Sequence, residues 1–195
     1  QNIVKSVNRA GFKAQNIILE PLASAKAVLS GDEKELGAVL IDLGGGTTDI
    51  LLYIEGSPYY TDVIPLGGEQ VTNDISIILK TPVDAAEKIK LKSGCCYMDL
   101  IQGDEEVFIP GVGGRPPRRL LKGDLVEIIQ PRVSEILMMV KEKIDQKGYL
   151  KLLGGGVVLT GGGALMPGIS DLAMEIFGLP TRVGYPIKFG GLVEE

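Results

Sequence analysis

The run Ile41-Asp42-Leu43-Gly44-Gly45-Gly46-Thr47-Thr48-Asp49-Ile50 limits this chain's fold more than any other stretch, because it links two apolar runs through three glycines. Residues 37–43 (GAVLIDL) and 49–54 (DILLYI) each read as a buried strand, so the glycines form the turn of a hairpin. A dinucleotide-binding fingerprint or a P-loop needs a helix directly after its glycines, and the Gly-Lys-Ser/Thr of a P-loop is absent. Glycine tolerates φ > 0 and lets backbone N–H groups approach an anion without Cβ obstruction. Asp42, at the end of the first strand, is suited to holding a metal-bound water or orienting a nucleophilic one, and Thr47 to donating to a phosphate oxygen. The competing reading is a tight structural turn. The Asp-x-Gly-Gly-Gly-Thr-x-Asp frame weighs against it.

Composition narrows the chemistry further. The 195 residues, 45% of them hydrophobic, make one large domain or two small ones with a real core. A formal net charge of −5 argues against a nucleic-acid partner or an anionic membrane surface. No apolar run approaches the roughly 20 residues of a membrane span, and the start lacks the features of a signal peptide, so the expectation is a cytoplasmic protein. The two cysteines, Cys95 and Cys96, are adjacent and cannot staple distant elements; redox function is the weaker reading. There is no histidine, which excludes Ser-His-Asp and Cys-His catalysis and His-ligated zinc.

Along the chain, residues 2–9 read as a helical end and residues 15–19 (QNIIL) as a short buried strand. Glu20-Pro21 opens a helix through Leu29 that Ser30-Gly31 closes, and Asp32 to Glu35 reads as a solvated loop. Strands at 37–43, 49–54 and 59–65 make an antiparallel meander. Helices follow at 69–79, with Val71, Ile75, Ile78 and Leu79 on one face, and from the N-cap Thr81 to about Lys92. After a polar stretch with a strand-like Val107-Phe108-Ile109 and a glycine- and arginine-rich loop, Asp124 with Glu127 resembles a capping box. It opens a helix through about Gln146 that Pro131 should kink. A strand at 157–160, a helix at about 167–177 and a short strand near 181–184 complete the pattern. The domain expectation is a core of 1–86 and 154–195, with an insert subdomain of 87–153 that includes the long return helix.

A second glycine cluster, Gly161, Gly162 and Gly163, lies between a strand and a helix N-terminus, where unpaired N–H groups favour anionic or dipolar ligand groups. Close helix-to-sheet packing would also explain it. Glu87 and Lys90 share a helix face three residues apart, a spacing that in isolation means a solvated ion pair.

The order of these elements carries more than any one of them. Glu-Pro at 20–21, the hairpin at 42–49, Ile-Pro-Leu-Gly-Gly at 64–68, Glu-x-x-Lys at 87–90 and Thr-Gly-Gly-Gly-x-x-x-Pro-Gly at 160–168 resemble the second lobe of the actin-like ATPase superfamily. Glu-Lys-Ile-Lys-x-x-x-Gly at 87–94, Glu-Ile-Ile-Gln-Pro-Arg-Val-Ser-Glu-Ile-Leu at 127–137 and Val-Val-Leu-Thr-Gly-Gly-Gly-Ala at 157–164 make it most similar to the FtsA family of bacterial cell-division proteins.

The resemblance implies an α/β fold of ribonuclease H-like type: a mixed sheet with flanking helices plus a small α+β insert subdomain. It implies that Asp42 with Gly44, Gly45, Gly46 and Thr47 forms a phosphate loop for ATP, with Mg2+ held by Asp42 through water. Gly161, Gly162 and Gly163 would be the adenosine loop, Glu87 and Lys90 the adenine and ribose contacts, Met166 a flank to the base, and Glu20 a water-orienting residue at the hinge between lobes. Asp42 and Glu20 are then the candidate catalytic residues. The family's first phosphate motif, an N-terminal Asp-x-Gly-Thr strand-loop, is missing, as is the amphipathic tail through which relatives reach the membrane. Half a clamp should bind nucleotide weakly and hydrolyse it negligibly.

The resemblance further implies self-association into filaments beneath the cytoplasmic face of the inner membrane at the division site, and an insert that docks the acidic C-terminal tail of the tubulin-like FtsZ. Arg132 is the foremost candidate for that contact, with the basic cluster Arg115, Arg118, Arg119 and Lys122. Two alternatives stand beside it: a PilM-like pilus-assembly scaffold that binds a membrane-protein tail, and a small-molecule kinase of the same superfamily.

Overall fold

Period-two alternation settles how the apolar runs are used. In the computed structural model, which describes residues 2–111 and 116–186, the elements run α1 (Asn2–Arg9), α2 (Glu20–Val28), α3 (Gly31–Leu36), β1 (Ala38–Leu43), β2 (Thr48–Ile54), β3 (Ser57–Ile64), α4 (Gly68–Leu79), α5 (Val83–Ser93), β4 (Glu106–Ile109), β5 (Arg118–Leu121), α6 (Lys122–Asp145), β6 (Gly156–Thr160), α7 (Ile169–Phe177) and β7 (Thr181–Val183). Five strands form one sheet in the order β3-β2-β1-β6-β7, with β1–β3 an antiparallel meander and β6 and β7 parallel to β1. Strands β4 and β5 form a separate hairpin.

Odd and even positions of the central strands face different cores. Val39, Ile41, Ile50, Leu52, Val157 and Leu159 pack in a large cluster with α4, α5, α6 and α7, whereas Leu40, Leu51, Tyr53 and Val158 pack with Ala25 and Val28 of α2. Burial on both faces explains why these strands read as continuous apolar runs. The expected α/β class with a mixed, helix-flanked sheet is what the chain adopts.

Several local expectations need correction. Asp32 to Glu35 is helical: Ser30 accepts from the Glu33 N–H at 3.2 Å and Glu33 accepts from the Ser30 N–H at 2.8 Å, a capping box that starts α3 rather than a loop. Residues 15–19 are not a buried strand; Ile17 and Ile18 are 67% and 68% exposed, and the segment pairs with no strand among the described residues. An apolar run becomes a strand only where a sheet edge accepts it. Ile78 is exposed on α4, while Val71, Ile75 and Leu79 are buried. At α5 the cap is Pro82, whose carbonyl accepts from Ala85 and Ala86, and Thr81 does not cap. Residues 118–121 leave the loop to pair as β5, which runs straight into α6 through a Lys122 N–H to Glu105 carbonyl bond of 2.7 Å. The long helix therefore begins at Lys122, two residues before the expected Asp124 cap, and passes unbroken through Pro131.

A partly buried polar tie fastens α6 to the sheet. Asp62 on β3 accepts from Tyr60 Oη at 2.6 Å and from Lys143 Nζ of α6 at 2.7 Å. Those two bonds hold its carboxyl down at about 2, and burial together with Asp62 pushes the Tyr60 phenol up to about 12. A depressed carboxylate contributes stability that is present above its unfolded value near 4 and lost as pH falls toward 2. The melting temperature should therefore drop between pH 4 and 2 by more in the wild type than in Asp62→Asn, which at neutral pH should be less stable by on the order of 1 kcal/mol. Equal acid sensitivity of the two proteins in a pH series of thermal melts would contradict this.

Candidate functional site

The glycine hairpin is built from the helix behind it. Gly44 N–H closes the turn on Thr47 O at 2.9 Å, and the buried Thr48 hydroxyl donates to Leu66 O at 2.8 Å. The first N–H groups of α4 then seize the turn's carbonyls: Gly68 N–H donates to Gly44 O at 2.9 Å and Glu69 N–H to Gly45 O at 2.8 Å. The approach is close enough that a Cβ on Gly67 would sit 2.5 Å from both carbonyl oxygens. The helix N-terminus thus serves the hairpin, leaving the amides of Gly45, Gly46 and Thr47 with no acceptor among the described residues.

None of Gly44, Gly45 and Gly46 has a positive φ, so the expected use of left-handed backbone here is not the reason for glycine. A Cβ on Gly45 or Gly46 would meet only the flexible end of Glu69, at 3.4 and 3.9 Å. The chain's own packing does not demand glycine at either position.

The second cluster divides. Gly161, at φ +85°, has no room for a side chain against Asp42 Oδ1 and Leu43 O, and a Cβ on Gly163 would lie 2.9 Å from Leu43 Cβ. Gly162 has nothing within 4 Å of a built Cβ. Packing thus explains the outer two glycines and leaves the middle one facing open space.

Between the clusters lies a cavity of about 360 Å³, lined by Gly44, Gly45, Gly68, Glu87, Lys90, Leu91, Gly162, Gly163, Leu165, Met166 and Pro167. The structure therefore brings together six of the expected cofactor contacts with Met166, which also packs on the core. Leu91 and Leu165, 75% and 66% exposed, are apolar walls that sequence reading missed; no periodicity marks a leucine that faces a cavity. Gly68 was missed because its neighbour across the cavity, Lys90, lies 22 residues away.

Glu87 and Lys90 are not a simple solvated pair. Lys90 Nζ lies 2.7 Å from Glu87 Oε2, 2.8 Å from Thr72 Oγ1 and 3.0 Å from Gly68 O, and the single Thr72 hydroxyl proton has two acceptors in reach, Glu87 Oε2 and, at 3.1 Å, Gly68 O. Burial raises the Glu87 carboxyl, but the bonds from Lys90 and Thr72 outweigh it and hold the group below its ordinary range.

Other expected residues stand outside the cavity lining. Asp42 is the last residue but one of β1, opposite Asp49 on β2 and Thr160 on β6, on the α2 side of the sheet, where Ser24 donates to Asp42 Oδ2 at 2.8 Å. Glu20 is exposed one helical turn before Ser24 on α2. Thr47 and Gly46 are exposed at the hairpin tip, with Thr47 Oγ1 3.4 Å from Asp49 Oδ2. No group of three or more acidic or thiol ligands gathers among the described residues, so a Mg2+ here would rest on Asp42 with water and ligand oxygens, the donor set this ion prefers.

Among the described residues, the expected partner-binding cations Arg132, Arg118, Arg119 and Lys122 have internal partners. Arg132 grips Asp74 of α4 through Nε at 2.6 Å and Nη2 at 3.1 Å and also bonds Glu135. Arg118 donates to Leu79 O at 2.6 Å, Arg119 to Glu106 at 2.8 Å and Lys122 to Glu105 at 2.9 Å. Arg115 lies outside the described residues. Cys96 is buried, and burial beside Cys95 pushes its thiol up to about 12, which leaves no reactive thiolate.

The family description "Cell division protein FtsA" matches residues 39–194. The chain belongs to the FtsA family. It is 48% identical to the cell division protein FtsA of Borreliella burgdorferi over its whole length and 47% identical to that of Pseudomonas aeruginosa, covering 48% and 46% of those proteins. The chain thus spans about half the length of the relatives it matches. Its fold resembles MreB5 of Spiroplasma citri bound to ADP, with a TM-score of 0.78 at 22% identity, over 94% of this chain and 59% of that one. The actin-like fold expected from the order of motifs is the one found.

The two glycine environments separate by measurement. Gly161→Ala should cost more than about 2 kcal/mol in chemical denaturation, from left-handed backbone and overlap with Leu43 O, whereas Gly162→Ala should change stability by less than about 0.5 kcal/mol. Equal effects would contradict the division.

Proposed function

We propose that this chain is the second lobe of an FtsA-type, two-lobed ATP clamp. The observation that carries the reading is the pair of glycines at 45 and 162, which the chain's own packing does not require and which border one cavity. The free amides of Gly45 to Thr47 suit phosphate oxygens, Glu87 and Lys90 suit a ribose, and Leu91, Leu165 and Met166 offer apolar faces to a base. Mg2+ would supply charge neutralisation on the phosphates, with Asp42, steadied by Ser24, holding one of its waters. Glu20 would orient an attacking water. The Spiroplasma protein of similar fold, described as bound to ADP, favours the same ligand class.

Phosphoryl transfer needs electrostatic stabilisation from both sides of the phosphate chain, so hydrolysis belongs to a protein that also carries the opposing lobe. In that protein the reading is filament formation at the cytoplasmic face of the membrane at the division site and tethering of FtsZ. The division into a core of 1–86 and 154–195 and an insert of 87–153 belongs to this proposal. Family membership favours it over the pilus-scaffold and kinase alternatives. An acidic FtsZ tail would reach Arg132, Arg118, Arg119 or Lys122 by exchanging places with their present acceptors, so Arg132→Glu should weaken binding of the tail peptide. Unchanged affinity removes Arg132 from that site.

For the nucleotide, Gly162→Val should lower affinity for Mg-ADP at least tenfold, by about 1.4 kcal/mol or more, in a calorimetric titration of the full-length protein. Its melting temperature should stay close to that of the wild type. Unaltered ADP affinity would overturn the assignment of the cavity.

A further inference from the structure

The glycine turn that offers its amides to an anion is overhung by a carboxylate. Glu69 Oε1 lies 3.4 Å from the place a Cβ on Gly45 would take, and Oε2 lies 3.9 Å from the corresponding place on Gly46. The backbone holds it there, because the Glu69 N–H donates to Gly45 O at 2.8 Å and so ties the residue to the turn. Asp42 and Asp49 add two more carboxylates, opposite each other on β1 and β2 at the base of the same hairpin. Lys90 is the one cationic side chain lining the cavity among the described residues, and its ammonium lies 2.7 Å from Glu87 Oε2, which matches its charge. Glu69 is exposed and stands outside the cavity lining.

We propose that Glu69 is a specificity-determining residue that penalises uncomplexed phosphate at the hairpin amides and thereby favours the magnesium complex of the nucleotide. This rests on the nucleotide reading above and deepens it. A phosphate oxygen accepting from the Gly45 or Gly46 N–H lies within the Debye length of that carboxylate, ~10 Å at 0.1 M salt, so the repulsion is only partly screened. Free ADP carries about three negative charges near neutral pH and about one once Mg2+ is bound, and the repulsion scales with that charge. Discrimination of this kind comes from a cost placed on the wrong ligand as much as from contacts to the right one. An acid in the first turn of α4 also answers the helix dipole, but that role changes stability and leaves the metal preference of the ligand unmoved.

The test titrates the full-length wild type, Glu69→Gln and Glu69→Asp with ADP in EDTA and with Mg-ADP. Glu69→Gln should bind free ADP about fivefold more tightly than the wild type and Mg-ADP less than about twofold more tightly, so that the preference for the magnesium complex shrinks. Glu69→Asp keeps the charge and should match the wild type within about twofold in both titrations. The gain in Glu69→Gln should fade as salt rises from about 0.05 to about 0.5 M. Glu69→Asn replaces Glu69→Gln should the latter fail to fold, with the same expectation. A Glu69→Gln protein with the wild-type metal preference overturns the role, whether both affinities stay put or both shift together as a disturbed α4 would cause. A gain that salt leaves undiminished overturns it as well. Either result leaves the nucleotide assignment standing. A wild type that binds ADP neither with Mg2+ nor without it overturns that assignment and this inference together.

Discussion

Two hydrogen bonds between the start of α4 and the carbonyls of Gly44 and Gly45 hold the rest of this architecture in place. A helix N-terminus carries N–H groups with no internal acceptor, and here the glycine turn supplies the acceptors. The exchange serves both parties: α4 gains acceptors for its first N–H groups, with Gln70 Oε1 taking the Gly67 N–H at 2.7 Å, and the turn gains a fixed shape. Gly67 permits it, since any Cβ would strike both carbonyl oxygens. The cavity floor is therefore a consequence of how a helix begins.

From that anchor α4 distributes position to its neighbours. Thr72 holds Glu87 and Lys90 on α5, Asp74 holds Arg132 on α6, and Leu79 O holds Arg118 on β5. One helix thus sets the hairpin, the polar wall of the cavity and the basic positions on β5 and α6. Arginine forks that look available for an acidic partner are the bolts from α6 and β5 to α4. A half-buried, bidentate arginine–aspartate pair resists removal because breaking it strands a charge.

How much of this was legible in the residues depended on range. The strands and helices with strong periodicity, β1, β2, α4, α6 and β6, were readable because burial on both sheet faces or on one helix stripe leaves its mark locally. The Ser30–Glu33 capping box was also present as Ser-x-x-Glu, but the charged run after it masked the helix. Residues 15–19 carried a strand composition without a sheet edge among the described residues to accept them. The glycine clusters marked the site, yet the residues alone did not separate Gly161, fixed by Asp42 and Leu43, from Gly162, which faces the cavity. Thr72 was invisible for the same reason: a lone threonine on a helix gains meaning only when α5 folds back beside it.

The central claim is that the amides freed by the α4–hairpin exchange hold the phosphates of a nucleotide. Hydrogen–deuterium exchange of the full-length protein with and without Mg-ADP tests it most directly. ADP should slow exchange at Gly45, Gly46 and Thr47 and around Gly162, leaving β5 and the start of α6 unchanged. ADP binding that leaves the amides of Gly45 to Thr47 exchanging as fast as before would contradict the account.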